Sequence, residues 1–179
     1  MSIGVLTFVL SLGVALPAHA QTAPAPSTIY SSVSVRVDNV NYKDLYAFVT
    51  DIRNDQLWYP GILNTTIVKT GPHGALVGTQ YTQSASVGDF VTNTTIDVLA
   101  AKKNKYMLIK GDGDIADYDA LYTFSRASNG GGVFTLTSKY VVAGMTKEMF
   151  EQYISYALGG LLRYYNSPGE VTVHFVIVQ

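Results

Sequence analysis

Few residue types in this chain can do chemistry, and their spacing narrows what that chemistry could be. There is no cysteine among the 179 residues, which excludes thiolate nucleophiles, thiolate metal sites and disulfides. The histidines His19, His73 and His174 are scattered: one follows an apolar N-terminal run, one sits in a Gly/Pro turn and one lies in the tail. The run Gly111-Asp112-Gly113-Asp114, with Asp117 and Asp119 behind it, has the outline of a calcium loop. Its twelfth position counted from Asp112 is Thr123 rather than a bidentate acid, so it reads as a solvated hairpin turn. No G-x-S-x-G and no phosphate-cradling loop occurs. Asp51, Arg53 and Asp55 form a charged cluster that reads as a local salt bridge or cap at a helix junction. No catalytic residue, metal ligand or cofactor is assigned on these patterns. What remains is tyrosine: 13 Tyr and 7 Phe stand against one Trp, in a chain only 14% charged.

The elements that would position these rings can be read from alternation. Ile29 to Val37 alternates, with Val33, Val35 and Val37 on one face. From Ile62 the chain becomes a string of strands separated by Gly-containing turns, an antiparallel meander. On the strand from Thr79 to Val87 the polar residues Gln80, Thr82, Ser84 and Ser86 point out, which turns Tyr81, Gln83, Ala85 and Val87 inward. By the same logic Phe90, Thr92, Thr94, Ile96 and Val98 go inward on the next strand. Tyr118, Ala120, Tyr122 and Phe124 follow on the strand carrying Asp117 and Asp119, and Phe134, Leu136, Ser138 and Tyr140 on the one carrying Lys139. The strand holding Tyr106 to Ile109 is apolar on both faces and leaves its register open. The inward set so derived contains no carboxylate, imidazole or amine. General acid–base catalysis needs a group that titrates near the working pH, and an ordinary tyrosine titrates near ~10. Each inward Tyr is either a core ring whose hydroxyl finds a partner or part of a cavity wall.

Thr146 to Asn166 is a long helix. Met149, Tyr153, Ala157, Leu161 and Tyr165 form one row and Phe150, Ile154, Leu158 and Leu162 the row beside it, a broad apolar face that a curved sheet can cover. Gly159-Gly160 inside it means either close packing or a bend, or room for a ligand. Glu170 to Val178 is a strongly β-prone tail, roughly 30 Å long if extended. Left unpaired it would invite aggregation, so it is expected to pair with an edge of its own sheet.

At the other end, Ile3 to Leu16 is apolar and Ala18-His19-Ala20 precedes Gln21, a signal-peptide pattern although no Lys or Arg leads it. The expected organisation is a signal peptide at 1–20, a Pro/Ala linker at 21–28 and a single domain at 29–179, secreted or periplasmic. The linker reading rests on QTAPAPS. With 12 basic and 13 acidic residues the formal net charge is -1, and no basic face is available for nucleic acid.

The segment Asn41 to Gly61, NYKDLYAFVTDIRNDQLWYPG, ties these elements together. Leu45, Phe48 and Val49, extended by Tyr42 and Ile52, give a short amphipathic helix, with Asp38-Asn39 ahead of it as cap and turn, that runs into a Trp-Tyr-Pro-Gly stop. A strand, a helical break ending in W-x-P-G, a meander and a long helix resemble the START-like (SRPBCC) superfamily, and within it the polyketide cyclase/dehydrase-like group. The resemblance implies an α+β helix-grip fold: a curved antiparallel sheet of about seven strands around a long C-terminal helix, with two short helices after the first strand. The C-terminal strand is extra to that pattern. The resemblance also implies a cavity for an apolar ligand. Joined to the inward set, it places ligand contacts at Trp58, Tyr81, Gln83, Thr94, Tyr118, Tyr122, Phe134, Tyr140, Ile154 and Leu158. Trp58 plugs one cavity end or anchors the short helices on the sheet. The function expected is an exported protein that binds a small apolar molecule of lipid, polyketide or isoprenoid type. No nucleic-acid partner, cofactor or stable membrane span after signal removal is expected, and the protein would be a monomer or weak dimer. The alternatives are a polyketide cyclase/dehydrase-like enzyme that uses the same cavity, with Tyr hydroxyls as acids, and an assembly protein that uses the C-terminal strand.

Overall fold

The computed structural model describes residues 26–87, 90–143 and 146–178. The expected signal segment and most of the expected linker lie outside the described residues. The last part of that linker is strand: β1 spans Pro26–Val37, with Pro26 paired to Ala143. Helices α1 (Tyr42–Val49) and α2 (Asp55–Trp58) follow, joined by a 3-10 turn at Ile52–Asn54. Then come β2 (Ile62–Lys69), β3 (Gln80–Val87), β4 (Phe90–Lys102), β5 (Tyr106–Gly113), β6 (Ala116–Arg126) and β7 (Gly132–Ala143). The long helix α3 (Lys147–Tyr165) and β8 (Glu170–Val178) complete the described chain.

The strands form one antiparallel sheet in the order β2-β3-β4-β5-β6-β7-β1-β8. The tail therefore pairs within its own sheet, covering the free edge of β1 from Thr28 to Arg36. The alternation of β1 holds: Ile29, Val33, Val35 and Val37 are fully buried, and the polar residue on that face, Ser31, bonds to Ser138 Oγ at 2.6 Å. On β5 the open register resolves with Met107 and Ile109 in the core.

Two local expectations shift. The cap of α1 is Asn41, whose side chain accepts from the N–H groups of Lys43 and Asp44, rather than Asp38-Asn39. Asp38 instead accepts from Arg36 and Asn129. The turn expected at Gly111 to Asp114 begins later, because β5 runs on to Gly113. Gly111 is paired with Tyr118, and a Cβ at Gly111 would stand 2.3 Å from the Tyr118 ring. The missing side chain is what lets that ring lie across the strand.

Glycine also decides how α3 sits. A Cβ at Gly160 would fall 1.6 Å from the Trp58 carbonyl oxygen, whereas one at Gly159 would meet only the Arg163 guanidinium at 3.3 Å. Gly160 is thus the close-packing glycine, and it lets the end of α2 rest directly on α3. Thr146 caps α3 through the Met149 N–H.

Candidate functional site: a tyrosine-lined cavity with one buried acid

Between α3, α2 and the concave face of β3–β7 lies a cavity of about 220 Å³. The residues turned inward by strand alternation line it: Tyr81, Gln83 and Ala85 from β3, Thr92, Thr94 and Ile96 from β4, Tyr118, Ala120 and Tyr122 from β6, and Leu136 and Tyr140 from β7. Helical residues close it: Trp58 and Tyr59 at the end of α2, and Met149, Phe150 and Tyr153 on the first half of α3. Ile115 and Met149 belong to this lining yet are 47% and 54% exposed, which puts an opening between the β5–β6 turn and the start of α3.

Of the residues expected to contact a ligand, Trp58, Tyr81, Gln83, Thr94, Tyr118, Tyr122 and Tyr140 stand in this wall. Phe134, Ile154 and Leu158 do not. They are fully buried in the tight core beyond it. Phe134 lies beneath the cavity wall, its ring stacked on Phe124 and met edge-on by Tyr122 at 5.2 Å and by Trp58 at 6.1 Å. Trp58 therefore both lines the cavity and anchors α2 on the sheet.

The larger correction is Asp55. The expectation of an inward set without a carboxylate fails, because α2 delivers one that strand alternation could not reveal. Asp51 and Arg53 do form the expected surface pair, at 2.6 Å, with the Arg53 side chain 77% exposed. Asp55 takes no part in it. It opens α2 as a buried residue in the cavity wall, where Oδ2 accepts from the Gln83 amide at 2.5 Å. Burial pushes its carboxyl up to about 8; the Gln83 bond and the nearby Trp58 indole pull the other way, and the Asp51 charge adds to the rise. The Trp58 Nε1–H is itself buried without an acceptor in hydrogen-bonding geometry, so its pull on the carboxyl is electrostatic proximity rather than a formed bond.

The signal that could have exposed Asp55 was spacing. It lies three residues before the only Trp, on one turn of helix, so a buried Trp58 carries Asp55 toward the same interior.

The tyrosine hydroxyls divide into two groups. Tyr59 and Tyr153 bond to one another at 3.1 Å, tying α2 to α3 across the cavity wall. Those of Tyr81, Tyr118 and Tyr122 have no hydrogen-bond partner among the described residues. Burial raises the pKa of all three well above the ordinary phenol value, so they stay protonated and can donate. No Lys, Arg or His lines the cavity among the described residues.

No family model matches the sequence, and no curated protein matches it. Solved structures do match. A START superfamily protein from Mycobacterium smegmatis superposes with a TM-score of 0.61 at 14% identity, over 75% of this chain and 93% of that one. The chain has the START-like helix-grip fold. Ara h 8.0201 shares it with a TM-score of 0.58 at 13% identity, over 77% of this chain and 96% of that one. DynU16, a protein in the dynemicin biosynthetic locus, matches with a TM-score of 0.51 at 16% identity, over 76% of this chain and 47% of its own. At these identities the START-like likeness is one of fold. Among the described residues no helix is long and apolar enough to cross a membrane.

Proposed function

We propose that this protein binds one small apolar molecule in the cavity between α3 and the sheet. The observation that carries this reading is the cavity itself: a space with one opening, walled mostly by aromatic and aliphatic side chains, among them three tyrosines whose hydroxyls have no hydrogen-bond partner among the described residues. Its volume of about 220 Å³ lies below the ~300 Å³ at which pockets for drug-sized ligands begin. That favours a ligand with one or two rings, or a short isoprenoid, over a long-chain lipid. DynU16 supports a polyketide-type ligand only by analogy of fold. Native mass spectrometry of the purified protein should show a bound small molecule, and titration with one- and two-ring apolar compounds should saturate at one per chain. A protein that shows neither overturns the reading.

A second reading, an enzyme resembling the cyclase/dehydrase group, is favoured by Asp55. A carboxyl with a pKa of about 8 holds its proton at neutral pH and is matched to general acid–base work beside orienting Tyr hydroxyls. Turnover of a bound substrate that Asp55→Asn abolishes, with binding kept, would select it. The signal-peptide pattern supports export, and N-terminal sequencing of the mature protein is expected to begin at Gln21.

A further inference from the structure

Among the described residues the cavity wall holds one carboxyl group and no Lys, Arg or His to neutralise it. Asp55 Oδ2 accepts from the Gln83 amide, and the Trp58 indole N–H lies close with no acceptor of its own. Both groups are donors, the arrangement that suits an ionised carboxylate rather than a carboxylic acid. The charge to match is missing. Around α2, β3 offers Tyr81 and Gln83, β6 offers Tyr118 and Tyr122, β2 offers Ile62, and α3 offers Tyr153. The remaining charge that acts on Asp55 is Asp51, which repels it and is itself bound to Arg53. A lone buried carboxylate is costly unless a counter-ion joins it. The other feature of the wall is its aromatic rings: Trp58 and the tyrosines Tyr81, Tyr118, Tyr122 and Tyr140 line the space. The Asp55 charge reaches the hydroxyls of Tyr81, Tyr118 and Tyr122, so acid and rings border one volume. Aromatic faces around a single acid attract an organic cation, through the ring quadrupoles and the counter-charge together.

We propose that the cavity selects an organic cation, a small apolar or aromatic body that carries a protonated or quaternary amine, with Asp55 as its counter-ion and the tyrosine and Trp58 rings as its cage. This rests on the small-molecule reading above and narrows it to one ligand class. The cation supplies the charge that Asp55 lacks, and the carboxyl releases its proton as the cation enters. Gln83 and Trp58 then donate to the carboxylate. Fatty acids and other organic anions are disfavoured, because among the described residues no cation lines the wall to receive their carboxylates.

The test compares two probes of one shape: benzyltrimethylammonium, whose charge is fixed at every pH, and neopentylbenzene, in which carbon replaces the nitrogen. Binding is measured by calorimetry from pH 6 to pH 9 in buffers of different ionisation enthalpy. The cation is expected to bind at least about tenfold more tightly than the neutral probe at pH 8.5. Its affinity should rise by close to tenfold per pH unit below about 8, where Asp55 must first lose its proton, and level off above. Up to one proton should be released per cation bound at pH 6 to 7. In Asp55→Asn the cation preference over neopentylbenzene and its pH dependence should both vanish. The pH series on the unaltered protein decides the matter even if the variant does not fold. Equal binding of the two probes, or a cation affinity flat with pH, overturns the cation proposal and leaves the small-molecule reading standing. Binding of neither probe, nor of any other one- or two-ring compound, overturns both.

Discussion

The space between α3 and the sheet has two halves that use the same kind of inward-facing residue to opposite ends. In one, Phe134, Ile154, Leu158 and Leu161 meet Ile29, Val33 and Val35 with no exposed surface left. In the other, Tyr81, Tyr118, Tyr122 and Tyr140 face a cavity. Branched aliphatic chains interdigitate and fill volume. The rings pack tilted or edge-on, as Tyr118 does on Tyr140 at 5.2 Å and Tyr122 on Phe134 at 5.2 Å, and still border an open volume. The contrast recurs within one turn of chain, at Asp51 and Asp55. The first pairs with Arg53 at the surface, which lowers its pKa; the second is carried into the cavity, where burial raises its pKa to about 8. Four residues of sequence separate an ordinary surface pair from the polar centre of a candidate site.

The largest effect expected from breaking this contrast is on pH dependence. Asp55 has a folded pKa above its unfolded value near 3.8, so the native state keeps a proton that the unfolded chain gives up. Its contribution to stability is therefore fully present below about pH 4 and is lost as pH rises to about 8, a change on the order of 5 kcal/mol over the whole interval. Asp55→Asn should remove that slope and leave the variant more stable than the parent at pH 8.5. Urea unfolding at pH 5 and pH 8.5 measures it. A parent protein as stable at pH 8.5 as at pH 5, relative to the variant, would mean that Asp55 is hydrated rather than buried. In the filled half Leu158→Ala should cost about 2–5 kcal/mol, the range for a large-to-small core change. In the open half Tyr118→Phe removes a hydroxyl with no protein partner, and should change stability by less than about 1 kcal/mol. Comparable losses at the two positions would erase the distinction between the halves.

Gly160 tests how the halves are joined. Gly160→Ala places a methyl against the Trp58 carbonyl and should cost about 1–3 kcal/mol as α2 is pushed off α3. Because Asp55 rides on α2, the same change should also lower its pKa by letting water in. Gly159→Ala, one residue earlier and free of backbone contact, should be neutral or slightly stabilising through helix propensity. The pair of melting temperatures separates close packing from mere helix flexibility.

Much of this was legible in the sequence because strand alternation has a period of two and a half-buried sheet obeys it. Alternation alone puts Tyr81, Gln83, Thr94, Tyr118, Tyr122 and Tyr140 on the inward face, and the family resemblance adds the cavity that they line. The rule says which face a residue is on but not how far the helix stands above it. Phe134 therefore shares its face with Tyr122 and Tyr140 yet lies in the filled half. Ile154 and Leu158 share the α3 row of Phe150 but lie one and two turns further along the helix, past the stretch near Phe150 and Tyr153 that borders the cavity. Asp55 was missed for a different reason. A four-residue helix has too few positions to show a periodicity, and a carboxylate beside an Arg and another Asp is far more often a surface group than a buried one. Position 160 was ambiguous because a helical Gly-Gly pair has no local signature to tell which residue is pressed against a neighbour.

The smallest effect expected is the most specific, because it connects the two acids. Asp51 raises the Asp55 pKa by charge repulsion, the least of the causes that act there, and its own charge is already partly countered by Arg53. In Asp51→Asn the repulsion is gone and the Asp55 titration should move down. Arg53→Gln leaves Asp51 without its counter-ion and should move it up. An exposed ion pair contributes little to stability, so neither change should shift the melting temperature as far as Leu158→Ala does. A titration followed by carbon NMR of the Asp55 carboxyl would record the two shifts. Opposite signs in the two variants would place Asp55 within reach of the surface pair while buried apart from it. Shifts of the same sign would instead point to a general loosening of the turn at Ile52–Asn54, since added water alone lowers the pKa whichever charge is removed.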